Sequence, residues 1–154
     1  MTAPDPVTDD PLALERQVCF ALAVASRTVI AAYRPLLEPL GLTHPQYLVM
    51  LALWEQTPLR VSALSERLHL EPATLSPLLK RLESAGLVTR DRDRDDERAL
   101  AVGLTAEGRR LRARAERTPQ AVVELLGMDL ESLEAMREVL TDVAERARRS
   151  SSRS

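Results

Sequence analysis

The chain is poor in several residue types, and each shortage removes a class of function. One cysteine, Cys19, stands in 154 residues, so no internal disulfide can form and nothing points to an oxidising compartment. Cys19 and the two histidines, His44 and His69, are scattered without metal-ligand spacing, so no metal and no other cofactor is expected. Five glycines are present and none builds a phosphate-cradling run or a GxSxG elbow. Aromatic residues make up 3%, too few to supply stacking platforms for single strands or RNA. No apolar run of the ~18–20 residues needed to span a membrane is expected, so no membrane partner is either. The opening "MTAPDPVTDD" is acidic, without the basic and apolar regions of a signal peptide, and a bacterial type of cytoplasm is the expected location.

What is present is an ordinary globular composition, 45% hydrophobic and 29% charged, sized for one domain or two small lobes. The net charge of −2 is unevenly spread. Between Arg60 and Arg117 thirteen Lys/Arg face ten Asp/Glu, a net +3, which leaves −5 for the remainder. A basic middle in an acidic chain fits a lobe facing double-stranded DNA and a separate assembly lobe.

Apolar residues recur three or four apart from Leu14 through Val18, Leu22, Val29 and Leu36, the signature of a long amphipathic helix that Gly41 breaks. Thr43 and Pro45 open the next helix, which runs through Trp54 to a turn at "EQTPLR". Ser62 can cap a short helix with Leu64 and Leu68 inward. After "HLEP", a second helix buries Leu75, Leu78, Leu79 and Leu82 and ends at Gly86. Short strands at "LVTR" and "LAVGL" enclose the charged "DRDRDDERA". Helix, helix and charged hairpin in this order read as a winged helix-turn-helix. Thr105 caps a further helix that is interrupted near Pro119 and ends at Gly127, and Asp129 caps the last one.

The expected fold is therefore mostly α with a small β-hairpin wing. Residues 41–116 form the winged helix-turn-helix, 11–40 and 117–149 a helical dimerisation region, and 1–10 and 150–154 lack stable structure. The end helices cannot bury their apolar stripes against so small a lobe, so a homodimer is expected, with two recognition helices on one face of a duplex. A pseudo-palindromic operator follows.

On the recognition helix Thr74, Ser76, Lys80 and Arg81 fall outside the leucine stripe, where hydroxyls and cations suit base edges and phosphates. The bland alternative is a solvated helix face. In the wing, Asp96 opposite Arg98 is the arrangement expected to present an arginine to a minor groove, with Arg92 and Arg94 as further contacts. His69, between the two helices, reads as a packing or phosphate-contact residue.

The stretch "SERLHLEPATLSPLLKRLESAGLVTRDRDRDDERALAVGLTAEG" resembles the DNA-binding core of the MarR family of bacterial repressors. The preceding "LERQVCFALAVASR…YRPLLEPLGLTHPQYLVMLALWE" resembles that family's organic-hydroperoxide-sensing branch. The resemblance implies that Cys19 is the peroxide-reactive cysteine and that Tyr33 hydrogen-bonds it from the partner chain. Two further tyrosines of the branch are replaced here by His44 and Ala23. Geometry agrees with the cross-chain reading: fourteen residues on one helix separate Cys19 from Tyr33 by ~21 Å. Donors from Tyr33 and His44 of a second chain would stabilise a thiolate.

The expected function is a repressor, not an enzyme, that releases its operator when an organic hydroperoxide oxidises Cys19. With no second cysteine in the chain, the sulfenic acid would be resolved by a low-molecular-weight thiol. Two alternatives remain at this stage. One is release by a small phenolic or apolar ligand with Cys19 inert, as buried free cysteines commonly are. The other, of a different class, is a thiol peroxidase.

Overall fold

The computed structural model describes residues 10–153. Apart from Asp10, the N-terminal segment expected to lack structure lies outside them, as does Ser154. Two compact units divide the chain, the first ending at Arg109 and the second beginning at Arg110.

In the first unit, a 3-10 turn at Leu14–Arg16 precedes helix α1, Val18–Leu37. The helix carries Pro35 near its end, tightens into a 3-10 turn at Glu38–Leu40 and stops at Gly41. By length and composition, Val18–Leu40 is apolar enough to cross a membrane. This corrects the expectation that no such run exists. Most of its residues are apolar, and Arg27, Arg34 and Glu38 are the only charges that interrupt it. Almost none of this segment is buried within the chain.

Helix α2, His44–Glu55, starts at a full capping box: Thr43 accepts from the Gln46 amide, and the Gln46 side chain accepts from the Thr43 amide. Its Val49, Met50 and Leu53 are completely buried. The segment read as a plain turn after α2 contains a strand, β1 (Leu59–Arg60). It pairs antiparallel with β3 (Leu100–Leu104), which pairs in turn with β2 (Val88–Arg92). The sheet therefore has three strands in the order β1-β3-β2, not a bare hairpin. A two-residue strand carries no alternation to detect, and only its pairing partner defines it.

Helix α3, Val61–Leu68, begins directly from β1 with Arg60 as its N-cap residue and no side-chain cap, so Ser62 does not serve that role. The turn to α4 (Pro72–Ser84) passes through His69 at φ 53, a left-handed conformation that non-glycine residues adopt sparingly. The Leu70 amide donates to the Ser65 carbonyl at 3.0 Å, and the Ser65 hydroxyl donates back to the Leu70 carbonyl. Helix α4 buries Leu75, Leu78, Leu79 and Leu82 as the spacing predicts and ends at Gly86, φ 75. It stays continuous through Pro77.

Helix α5, Ala106–Ala115, crosses from the first unit into the second. At its start Gly108 approaches the backbone of Leu87 so closely that a Cβ there would collide with the Leu87 carbonyl oxygen. The same glycine donates its amide to Thr105 Oγ1 (3.0 Å) and accepts the Trp54 indole N–H on its carbonyl (2.9 Å).

The second unit continues with α6 (Thr118–Leu126), which ends at Gly127, and α7 (Leu130–Ser151), which Asp129 caps through the Ser132 amide. The tail expected to lack structure instead prolongs α7 through Ser151. Arg148 and Arg149 complement the helix C-terminus, and the Ser150 and Ser151 hydroxyls donate to the Arg146 and Ala147 carbonyls. Leu130, Met136, Leu140 and Val143 on α7 are exposed.

Candidate nucleic-acid interface and thiol site

Because four leucines anchor one face of α4, the residues between them point outward. Thr74, Ser76, Lys80 and Arg81 are all exposed. Ser76 and Lys80 lie one turn apart, and Thr74 and Arg81 two turns apart, so the hydroxyls precede the cations along the helix. The helix is fixed to the sheet by an ion pair that sequence reasoning missed. Arg90 on β2 forks onto Glu83, with Nη2–Oε1 at 3.1 Å and Nε–Oε2 at 3.3 Å. That bond holds the Glu83 carboxyl below its ordinary pKa.

The loop between β2 and β3 is organised by Asp93. Its carboxylate takes a bidentate fork from Arg60 at 3.1 Å and 3.1 Å, and one oxygen also accepts the amides of Asp95 (2.9 Å) and Asp96 (3.1 Å). The Arg60 hydrogen bond is the largest of several influences that lower the Asp93 pKa. Asp96 accepts the backbone amide of Arg98 at 3.0 Å, not its guanidinium. The expected side-chain pairing is thus replaced by a turn cap. Arg92 donates to the Glu97 carbonyl at 2.8 Å and is otherwise exposed. Arg94 and Arg98 are exposed, and among the described residues neither pairs with a carboxylate. The outward face of α4 and the loop between β2 and β3 thus each present cations to solvent, Lys80 and Arg81 on the helix and Arg94 and Arg98 on the loop.

Cys19 is exposed in the first turn of α1. Tyr33 is on the same continuous helix, ~21 Å further along its axis. The structure instead brings Tyr33 to His44: their rings meet edge to face with centroids 5.2 Å apart, and Tyr47 lies 6.3 Å from Tyr33. Partial burial raises the Tyr33 pKa and lowers that of His44. At neutral pH both are therefore neutral groups, each able to donate one hydrogen bond to an anion. Beside them a groove of about 540 Å³ is lined by residues that include Ile30, Arg34, Leu37, Leu42 and His44. Among the described residues no cluster of His, Cys, Asp or Glu could hold a metal ion.

Residues 42–100 match the MarR family. The organic hydroperoxide resistance transcriptional regulator of Bacillus subtilis is 40% identical over 136 residues, covering 88% of this chain and 92% of that protein. The chain belongs to the MarR family. It is a transcriptional regulator of that family. The regulator TtmR of Methylorubrum extorquens is 46% identical over 128 residues, 83% of this chain but 66% of its own length. Among solved structures, reduced AbfR bound to DNA, from Staphylococcus epidermidis, superposes with a TM-score of 0.68 at 34% identity, covering 87% of this chain and 93% of that one. AbfR is also solved overoxidised on DNA and in a disulfide form. The residues that match the family, 42–100, include α4 and the loop between β2 and β3.

Proposed function

We propose that this MarR regulator is a cytoplasmic, homodimeric repressor that binds a pseudo-palindromic duplex and releases it after an organic hydroperoxide oxidises Cys19. The observation that carries the DNA reading is the exposed face of α4, with Thr74, Ser76, Lys80 and Arg81, together with Arg94 and Arg98 exposed on the wing loop. The α4 residues would meet base edges and phosphates in a major groove, and the wing arginines the adjacent minor groove. Dimerisation through 11–40 and 117–149 is supported by the apolar side chains that α1 and α7 leave in solvent, Leu22, Ile30, Met136 and Leu140 among them.

In such a dimer an antiparallel α1 would bring Tyr33 and His44 of one protomer to Cys19 of the other. Two neutral donors would stabilise the thiolate, the form that attacks the peroxide O–O bond. The attack leaves a sulfenic acid on Cys19 and an alcohol. A low-molecular-weight thiol then condenses with the sulfenic acid, releasing water and leaving a mixed disulfide. That adduct is too bulky for packed helices, and its strain opens the DNA-binding arrangement. AbfR held on DNA in an overoxidised state supports the view that added oxygen atoms alone do not release the duplex.

The test enriches a duplex from a random pool with the full chain, then adds cumene hydroperoxide with or without cysteine. Binding should persist with peroxide alone and be lost with thiol, the released chains carrying one adduct each by intact mass. Fast, complete release with only a sulfenic acid on Cys19 contradicts it. The groove beside His44 favours a second reading, release by a small apolar or phenolic ligand. Under that reading Cys19→Ser would leave induction unchanged.

A further inference from the structure

Arg60 belongs to neither the recognition helix nor the wing, yet the wing is built on it. It ends β1 opposite Ala101 of β3 and is the N-cap residue of α3. Its guanidinium crosses 33 residues of sequence to grip both oxygens of Asp93. Asp93 is largely covered, its side chain 16% exposed, against 44% for Arg60. From there the bonds run outward: Asp93 holds the amide of Asp96, and Asp96 holds the amide of Arg98. The Asp93 amide donates to the Ala99 carbonyl at 2.9 Å, closing the loop's base. A carboxylate at the foot of a DNA-facing loop would repel phosphate if left alone, and the Arg60 fork both neutralises and orients it.

We propose that Arg60 is a positioning residue for DNA binding: its fork on Asp93 holds the wing loop in the shape that presents Arg98. The inference rests on the DNA-binding reading and adds a residue to it that no base or phosphate need touch. Half-exposed ion pairs add little to global stability, so the role shows in binding more than in folding.

Two mechanisms predict opposite signs for one substitution. If Arg60 contacted phosphate directly, Asp93→Asn would free its charge, remove a repulsive carboxylate and tighten binding. If Arg60 positions the wing, Asp93→Asn loosens the loop and weakens binding despite the more positive surface. The assay is fluorescence anisotropy of full-length protein on a duplex enriched from a random pool, against a scrambled duplex of equal composition. Thermal unfolding and Trp54 emission serve as controls for folding. Asp93→Asn and Arg60→Met should each lose on the order of tenfold in affinity, the scale of one good groove contact. Arg60→Lys, which keeps the charge without the fork, should fall between them and wild type. In the Arg60→Met background Arg98→Ala should cost under twofold, because Arg98 is already misplaced. Asp93→Asn binding as tightly as wild type or tighter, or an undiminished Arg98→Ala effect in Arg60→Met, overturns the positioning role alone. If wild type prefers no duplex at all, the DNA-binding reading falls and takes this inference with it.

Discussion

Gly108→Ala sets two physical effects against each other, and the structure decides the sign. In an isolated helix the change is favourable by ~1 kcal/mol, because alanine loses less backbone freedom. Here the added methyl would collide with the Leu87 carbonyl oxygen and press on Leu104 Cδ2 at 3.3 Å. Backbone cannot rotate out of the way as a side-chain tip can, so the start of α5 must move off Leu87. Overpacking of this kind costs ~1–3 kcal/mol. The same shift lengthens the 2.9 Å bond from the Trp54 indole to the Gly108 carbonyl, a further ~1 kcal/mol. The net expectation is a loss of about 2 kcal/mol, or ~4–8 °C in Tm for a chain of this size. Urea unfolding followed by far-UV circular dichroism and by Trp54, the single tryptophan, measures it. Both proteins must be held at one chain concentration, since dimerisation would add to apparent stability. Equal or higher stability for Gly108→Ala would refute the close-approach argument and leave helix propensity in charge.

The remaining predictions address the two sites. Arg98→Ala should weaken duplex binding and reduce the slope of log affinity against log salt by about one, read from titrations between 50 and 200 mM salt. Tyr33→Phe should slow Cys19 oxidation, followed by thiol titration against time, and His44→Ala should do so too; rates equal to wild type for both would remove the cross-chain donors from the account. Burial lowers the His44 pKa, so the unfolded chain takes up a proton there at higher pH than the folded one. Stability is therefore full above the unfolded value near 6.5 and is lost as pH falls through the lowered folded value. His44→Gln should flatten that part of the stability profile between pH 7 and 5.

Local patterning made most of this fold legible. The leucines of α4 fix its buried face and so its outer face, while Thr43, Gly86, Gly127 and Asp129 mark ends that the structure confirms. What stayed hidden depends on partners distant in sequence. Strand β1 exists through its pairing with β3, and the forks of Arg60 on Asp93 and Arg90 on Glu83 depend on the tertiary fold. The wing's alternating acids and bases offered several pairings, and Asp96 with Arg98 was the expected one. Backbone amides, invisible in a residue pattern, took Asp96 instead. The serine-rich end read as unstructured because its composition cannot build a core, yet α7 runs on through Ser151. Of the thiol site, sequence spacing shows that Cys19 and Tyr33 cannot meet within one chain. The contact of Tyr33 with His44 required the fold.

If oxidation of Cys19 switches DNA binding, replacing its sulfur must abolish the response. Wild type and Cys19→Ser are each bound to the enriched duplex and treated with cumene hydroperoxide plus a low-molecular-weight thiol. Wild type should dissociate with one thiol adduct per chain while Cys19→Ser stays bound. Dissociation of both proteins alike, or wild type still bound with Cys19 fully converted to the adduct, would contradict it.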